Sequence, residues 1–367
     1  MHTKYFIIIF VLACFNCFKS LGQQKEVFEK SYIKANLLKV ANWQMQHSNK
    51  KPLNDWTNGA LYTGIFAAYQ ITKSKLLLDS MMAMGNRYQW RPGRRFDHAD
   101  DYAITQTYID FYRINKDKSI LQPSLDSLEK MKTQPGNEIK KHGIIWWWCD
   151  ALFMAPPVLA KLAKTLNDPS WLVLSDSLFR QTYKLLYNKE DHLFARDASY
   201  LIDVNGNGKL ESNGKKIYWA RGNGWVMGGL VRFLHEMPKG YKGRAFYINL
   251  YKEMANSLLA LQQADGLWRT SLLDPDAYPG GEGSGTGFNC YALAWGLNNK
   301  ILDKGTFLNA VQKAWVGLNG LVLEEGAVGW VQPIGADPKS NFSINSWEAY
   351  GAGAYLLAGS EIIKLKN

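Results

Sequence analysis

Residues 144–157 read IIWWWCDALFMAPP: three consecutive tryptophans, Trp146 to Trp148, then Cys149 and Asp150, then an apolar run that opens a helix. A single acid among so many rings and aliphatics is costly to keep ionised. Burial therefore predicts a raised carboxyl pKa at Asp150 and a proton available near neutral pH. The adjacent indoles, Trp148 among them, offer flat faces on which a sugar ring can stack. The same residue types also fit a core Asp that caps a helix, a position Asp favours.

Working outward, five further segments share this character of small residues and aromatics followed by an apolar helical run. They begin at Asn58, Asp100, Arg221, Gly283 and Trp347. Between the six lie more polar helical patterns near 25–48, 75–88, 118–133, 170–188, 242–263 and 306–318. Helices that are apolar all round are buried, and those with a polar face lie outside. Six of each predict an all-α double ring, with the unusual residues gathered at one mouth; an open solenoid would carry the same pattern. The exception is a small β-hairpin insertion near 193–219, where Leu193–Arg196 and Ile217–Ala220 flank Asn-Gly turns. Within it, Asp203, Asn205 and Asn207 match the first positions of a calcium loop. Gly214 replaces the Glu expected at its twelfth position, which favours a plain turn.

The chain has 367 residues, 47% hydrophobic and 13% aromatic, with 14 Trp and 19 Tyr. That suits one large core over residues 23–367. Residues 1–22 read as a secretory signal: Lys4, an apolar run from Tyr5 to Phe18, and a small residue at the break. Export to the periplasm is expected; lipidation at Cys14 is the second choice. The apolar run is too short for a comfortable membrane span. With the leader gone, only Cys149 and Cys290 remain, which is neither a disulfide framework nor a metal spacing. The formal charge is +11, and loss of Lys4 and Lys19 with the leader leaves +9. Basic residues occur in short pairs such as Arg94-Arg95, with no nucleic-acid motif. An anionic oligosaccharide is the expected partner, and both monomer and homodimer remain open.

Two other strings carry chemistry. Tyr218–Trp225 (YWARGNGW) ends a strand-like run and opens a helix. Arg221 and the amides bared at Gly222 and Gly224 suggest an anion site, flanked by Trp219 and Trp225. A tight turn with packed tryptophans would read the same. Phe96–Tyr102 (FDHADDY) sets His98, Asp100 and Asp101 before a helix, where one acid serves as a cap.

In order along the chain, WxxG at Trp56–Gly59, the pair Asp100-Asp101, WCDALFMAPPVLAKLA at 148–163, WARGNGWVMGGLVRFL at 219–234 and LQQADGLWRTSLLDP at 261–275 resemble glycoside hydrolase family 105, the unsaturated glycuronyl hydrolases, with family 88 a close relative. The resemblance covers roughly residues 30–360. It implies an (α/α)6 barrel and removal of a 4,5-unsaturated uronic acid from the non-reducing end of lyase-generated oligosaccharides. Asp150 matches the family's proton donor and water activator, and one of Asp100 and Asp101 its second acid. Trp219, Arg221, Gly222, Asn223 and Trp225 would hold the sugar and its carboxylate, with His98 and Trp148 beside them. Many members carry a His where this chain has Phe194-Ala195-Arg196-Asp197. Arg196 offers a bidentate donor for carboxylate or sulfate, which favours a sulfated glycan such as ulvan over rhamnogalacturonan. The competing readings are a conventional inverting glycosidase with paired carboxylates on the same ring, and a glycan-binding protein without catalysis.

Overall fold

A computed structural model describes residues 26–134 and 136–366. The expected leader therefore lies outside the described residues. In chain order the helices are α1 (Lys30–Gln46), α2 (Trp56–Thr72), α3 (Lys75–Arg87), α4 (Thr105–Asn115), α5 (Lys118–Thr133), α6 (Asn137–His142), α7 (Ala151–Met154), α8 (Pro156–Leu166), α9 (Ser170–Leu186), α10 (Ala220–Glu236), α11 (Arg244–Ala260), α12 (Gly283–Asn298), α13 (Lys304–Gly320) and α14 (Ala349–Ile362).

Outer helices form where one face is apolar. α1 buries Ile33, Leu37, Val40, Ala41 and Gln44, and α11 buries Tyr247, Leu250, Tyr251, Met254, Ala255 and Leu258. Both stripes recur every three or four residues, so the opposite face is left to water. Inner helices lack a polar face: α12 is buried from Gly283 to Gly296 and α14 from Ala349 to Ile362. Acidic caps start two of them: the Asp55 carboxylate accepts the Thr57 amide at 3.0 Å before α2, and Glu282 accepts the Ser284 amide at 3.3 Å before α12.

The inner helices pack in a closed circuit. α2 meets α4, α4 meets α8, α7 and α8 meet α10, α10 meets α12, α12 meets α14, and α14 returns to α2. Outer helices pack against their inner partners, α9 on α8 and α13 on α12 among them. This is the (α/α)6 barrel, closed rather than an open solenoid. The closing seam depends on Gly64 and Gly353. A Cβ on Gly353 would stand 2.6 Å from the Ala60 carbonyl oxygen, and one on Gly64 2.5 Å from the Gly353 carbonyl oxygen. Neither helix can retreat without opening the ring. Gly353→Leu is expected to destabilise the fold by about 3 kcal/mol or more, the scale of a severe overpacking. Urea unfolding checks this, with Gly240→Leu, whose added Cβ meets nothing within 4 Å, as the neutral control.

Two local expectations change. The apolar run after Asp150 is two helices rather than one, broken at Ala155 because Pro156 and Pro157 lack amide donors and restart the helix. The small hairpin exists, but it lies at 187–194: β1 (Tyr187–Asn188) pairs antiparallel with β2 (Leu193–Phe194). Residues 217–220 do not pair with 193–196; Trp219 instead bridges Ser271. The turn at Asp203 closes on itself, its carboxylate accepting the Asn205 and Asn207 amides, each at 2.8 Å, and the Asn207 side chain at 3.1 Å. Among the described residues no helix is long and apolar enough to cross a membrane.

Candidate active site

The inner helices begin at one end of the ring, where Trp56 stacks on Tyr350 at 5.5 Å and meets Trp225 edge-on at 6.1 Å. Asp150 immediately precedes α7 at this end. The segment after β2 runs alongside the tryptophan segment: the Cys149 amide donates to the Arg196 carbonyl at 2.9 Å, and Trp148 bridges Asp197. That register sets Arg196 Nε 3.6 Å from Asp150 Oδ2, while Nη1 donates to Asp197 at 2.7 Å. The guanidinium also lies over the Trp147 ring, 5.5 Å from its centroid. Asp150 is 9% exposed and makes no side-chain capping bond. The helix-cap alternative is not realised; the carboxylate instead faces Arg196 and accepts from the Cys149 thiol at 3.5 Å.

The adjacent acids Asp100 and Asp101 lie in a short 3-10 turn, Ala99–Tyr102, and they separate cleanly. Asp101 is spent on structure. It accepts the Arg95 amide at 2.6 Å and pairs with the Arg95 guanidinium at 2.6 Å, while its carbonyl accepts the Gly93 amide at 2.8 Å. Asp100 has no such clamp. Its pKa is pushed from 3.8 to about 8, first by burial and next by the negative charge of Asp150; Arg95 and Arg196 pull the other way. Asp100 is thus a strongly raised carboxyl of the site, and because the charge of Asp150 contributes to that rise the two acids form an interacting pair. His98 stands beside them, Nδ1 3.8 Å from Asp100 Oδ2 and its ring 4.7 Å from that of Trp148. Burial and Arg95 lower the His98 pKa, so its ring is neutral at pH 7.

Several residues expected to touch sugar serve the scaffold instead. Arg221 is 1% exposed and sandwiched between the rings of Trp219 and Tyr350, 4.3 and 4.7 Å away. Its terminal nitrogens donate to the carbonyls of Gln332 and Pro333, anchoring that loop over the ring. A cation so committed is no open anion site. Asn223 is buried and clamps β2, accepting the Phe194 amide at 2.9 Å and donating to the Phe194 carbonyl at 3.1 Å. Trp219 and Trp225 are 2% and 0% exposed. Trp225 fills the ring between Phe153 at 4.9 Å and Phe288 at 4.4 Å. Gly222 lets α10 approach the acid: a Cβ there would stand 3.2 Å from Cys149 Sγ. Trp148 is also buried and packs beneath His98. The half-exposed aromatics are Trp56 and Trp147, the latter stacked on His142 at 3.9 Å. Sequence reading passed over both as individual sites, although WxxG and WWW contained them.

The closed ring of six helical hairpins and its paired acids are those of a glycoside hydrolase. The chain belongs to Glycosyl Hydrolase Family 88, whose model matches residues 36–366. It is 43% identical over 351 residues to an unsaturated 3S-rhamnoglycuronyl hydrolase of Formosa agariphila, with 92% of each chain covered. Among solved structures it resembles one described as a polysaccharide lyase, with a TM-score of 0.83 and 31% identity over 91% of this chain and 97% of that one. It also resembles a family 88 glycosyl hydrolase from Bacteroides vulgatus, with a TM-score of 0.82 and 27% identity over 92% and 99% of the two chains.

Proposed function

We propose that this hydrolase removes a 4,5-unsaturated uronic acid from the non-reducing end of lyase-generated oligosaccharides, and that the sugar released is sulfated, as in ulvan fragments. The observation that carries the reading is the acid pair at the mouth. One carboxyl, Asp100, is pushed up to about 8, and the other, Asp150, lies 3.6 Å from a guanidinium. At neutral pH Asp100 therefore carries a proton, held beside a second acid.

The chemistry balances on that single proton. It passes from the pair to C4 of the enol ether, leaving positive charge shared between C5 and the ring oxygen. Water adds at C5 and returns a proton to the pair. The hemiketal at C5 then breaks its bond to the ring oxygen, giving a ketone at C5 and a hemiacetal at C1, which expels the remaining glycan as an alcohol. One water is consumed. Asp150 is the group assigned to the reacting carbons, and Asp100 the reservoir that keeps the pair protonated. The sulfated substrate is supported by the name of the Formosa relative. Export to the periplasm belongs to the same proposal, since lyase products arise outside the cytoplasm.

The test is spectroscopic. Incubation with lyase digests should abolish the ultraviolet absorbance of the conjugated double bond. A lyase would raise that absorbance instead, and a conventional glycosidase would cleave saturated and unsaturated ends alike; either result overturns the proposal. A finer expectation concerns pH. The positive charge of Arg196 lowers the pKa of Asp100, so Arg196→Gln should raise it and move the alkaline limb of kcat/KM above the wild-type position near pH 8. An unmoved limb would separate Arg196 from the pair.

A further inference from the structure

A cavity of about 710 Å³ opens on the rim between the start of α2 and the loop following α3. Trp56 and Asp101 line it, which sets it directly beside the Asp100 turn. Four arginines, Arg87, Arg91, Arg94 and Arg95, also line it, and all four are exposed. Only Arg95 is neutralised, by Asp101; among the described residues Arg87, Arg91 and Arg94 form no ion pair. The remaining lining acid, Asp55, is engaged in capping α2. The cavity therefore carries excess positive charge on flexible, solvent-facing donors, with the indole of Trp56 on one wall.

The backbone that presents these arginines is held under strain. Gln89 and Trp90 have φ of 52° and 54°, two consecutive non-glycine residues in the left-handed region. Such conformations persist only where packing over-determines them, and they gather at ligand clamps. Here the packing is explicit. Trp90 is buried, meets the Tyr108 ring edge-on at 5.3 Å, and lies so close to Gly85 that no Cβ fits there. The Gly93 amide is tied to the Asp101 carbonyl and the Arg95 amide to the Asp101 carboxylate. The loop is thus rigid at its anchors, Trp90 and Asp101, and cationic in the residues around them. Asp101 joins both features: the residue that fixes the loop neighbours the acid assigned to the proton.

We infer that this cavity is the subsite for an oxyanion on the leaving part of the substrate, with Arg87, Arg91 and Arg94 as its donors. Guanidinium groups bind the coplanar oxygens of a sulfate ester or a carboxylate with paired hydrogen bonds, and either group could sit on a sugar beyond the scissile bond. The volume suits one or two sugar rings. The inference rests on the hydrolase reading above but assigns specificity to residues outside the acid pair.

The experiment uses the intact chain and its Arg87→Ala, Arg91→Ala and Arg94→Ala variants, with thermal unfolding to confirm folding. Arg91→Lys and Arg94→Lys serve as charge-retaining controls. Three substrates share one unsaturated uronic acid: one with a sulfated leaving sugar, the same compound after desulfation, and a longer unsulfated one whose leaving chain carries a uronate. The Ala variants should raise KM about 10-fold per arginine on a substrate that fills the site, with kcat unchanged and partial rescue by Lys. A rise confined to the sulfated compound identifies a sulfate ester, and a rise confined to the longer one identifies a carboxylate. An equal rise on all three, or none, overturns the subsite. If the wild type cleaves none of the three, the hydrolase reading fails. Calorimetric binding of the same compounds then judges the cavity separately, and affinities indifferent to the three arginines overturn it.

Discussion

Asp150→Asn should reduce turnover of an unsaturated oligosaccharide by about 10²–10⁴-fold, the range for loss of a positioned acid or base. The substitution keeps shape and volume but cannot give or take a proton. Because Asp150 makes no capping bond to α7, the helix loses nothing by the exchange, and unfolding midpoints should stay near the wild-type value. Binding should also survive, so kcat falls while KM changes little. Loss of absorbance at saturating substrate checks the first point and calorimetry the second. A variant that keeps a tenth or more of the wild-type rate would remove Asp150 from the reaction.

Asp100→Asn should have a similarly large effect on rate but, unlike Asp150→Asn, should also change stability. The folded-state pKa of Asp100, about 8, lies above its ordinary 3.8. Between these values the folded chain holds a proton that the unfolded chain has released, so stability falls as pH rises from about 4 to 8. Asn carries no such penalty. At pH 7 the variant should be more stable by an amount on the order of 4 kcal/mol, and below pH 4 the two proteins should converge. Activity gives the matching signature: the wild type loses kcat/KM as pH rises through about 8, and the slow residual reaction of the variant lacks that limb. Denaturant titrations at pH 4 and pH 7 decide the matter. A stability difference that is the same at both would mean Asp100 is ionised in the folded chain at neutral pH.

How far the sequence carries depends on how local the cause is. The outer helices were legible to within about five residues at either end, because stripes such as Ile33, Leu37, Val40, Ala41 and Gln44 carry their own period. The ring was legible because all-apolar runs such as 283–298 must be covered on every side. The division of labour between Asp100 and Asp101 was not, since it depends on which acid Arg95 reaches. The role of Arg221 was equally hidden: its acceptors are 111 and 112 residues away, and a cation sealed by carbonyls reads the same as one waiting for a ligand. The hairpin was misplaced because Asn-Gly at 205–206 is the stronger local turn signal, whereas the strands meet around 189–192, where His192 takes the left-handed conformation. The arginine loop was visible as composition, four arginines between 87 and 95, but only the fold gathers them round one cavity.

The seam at Gly64 and Gly353 joins the first inner helix to the last, and the Trp315 indole reaches across 288 residues to the Val27 carbonyl at 2.8 Å. Contacts of such sequence separation are slow to form, since closing so long a loop costs chain entropy before the contact stabilises anything. A nascent chain therefore has no competent mouth until its final helix has emerged and docked. Truncation from the C-terminal end should abolish cleavage outright rather than weaken it by degrees.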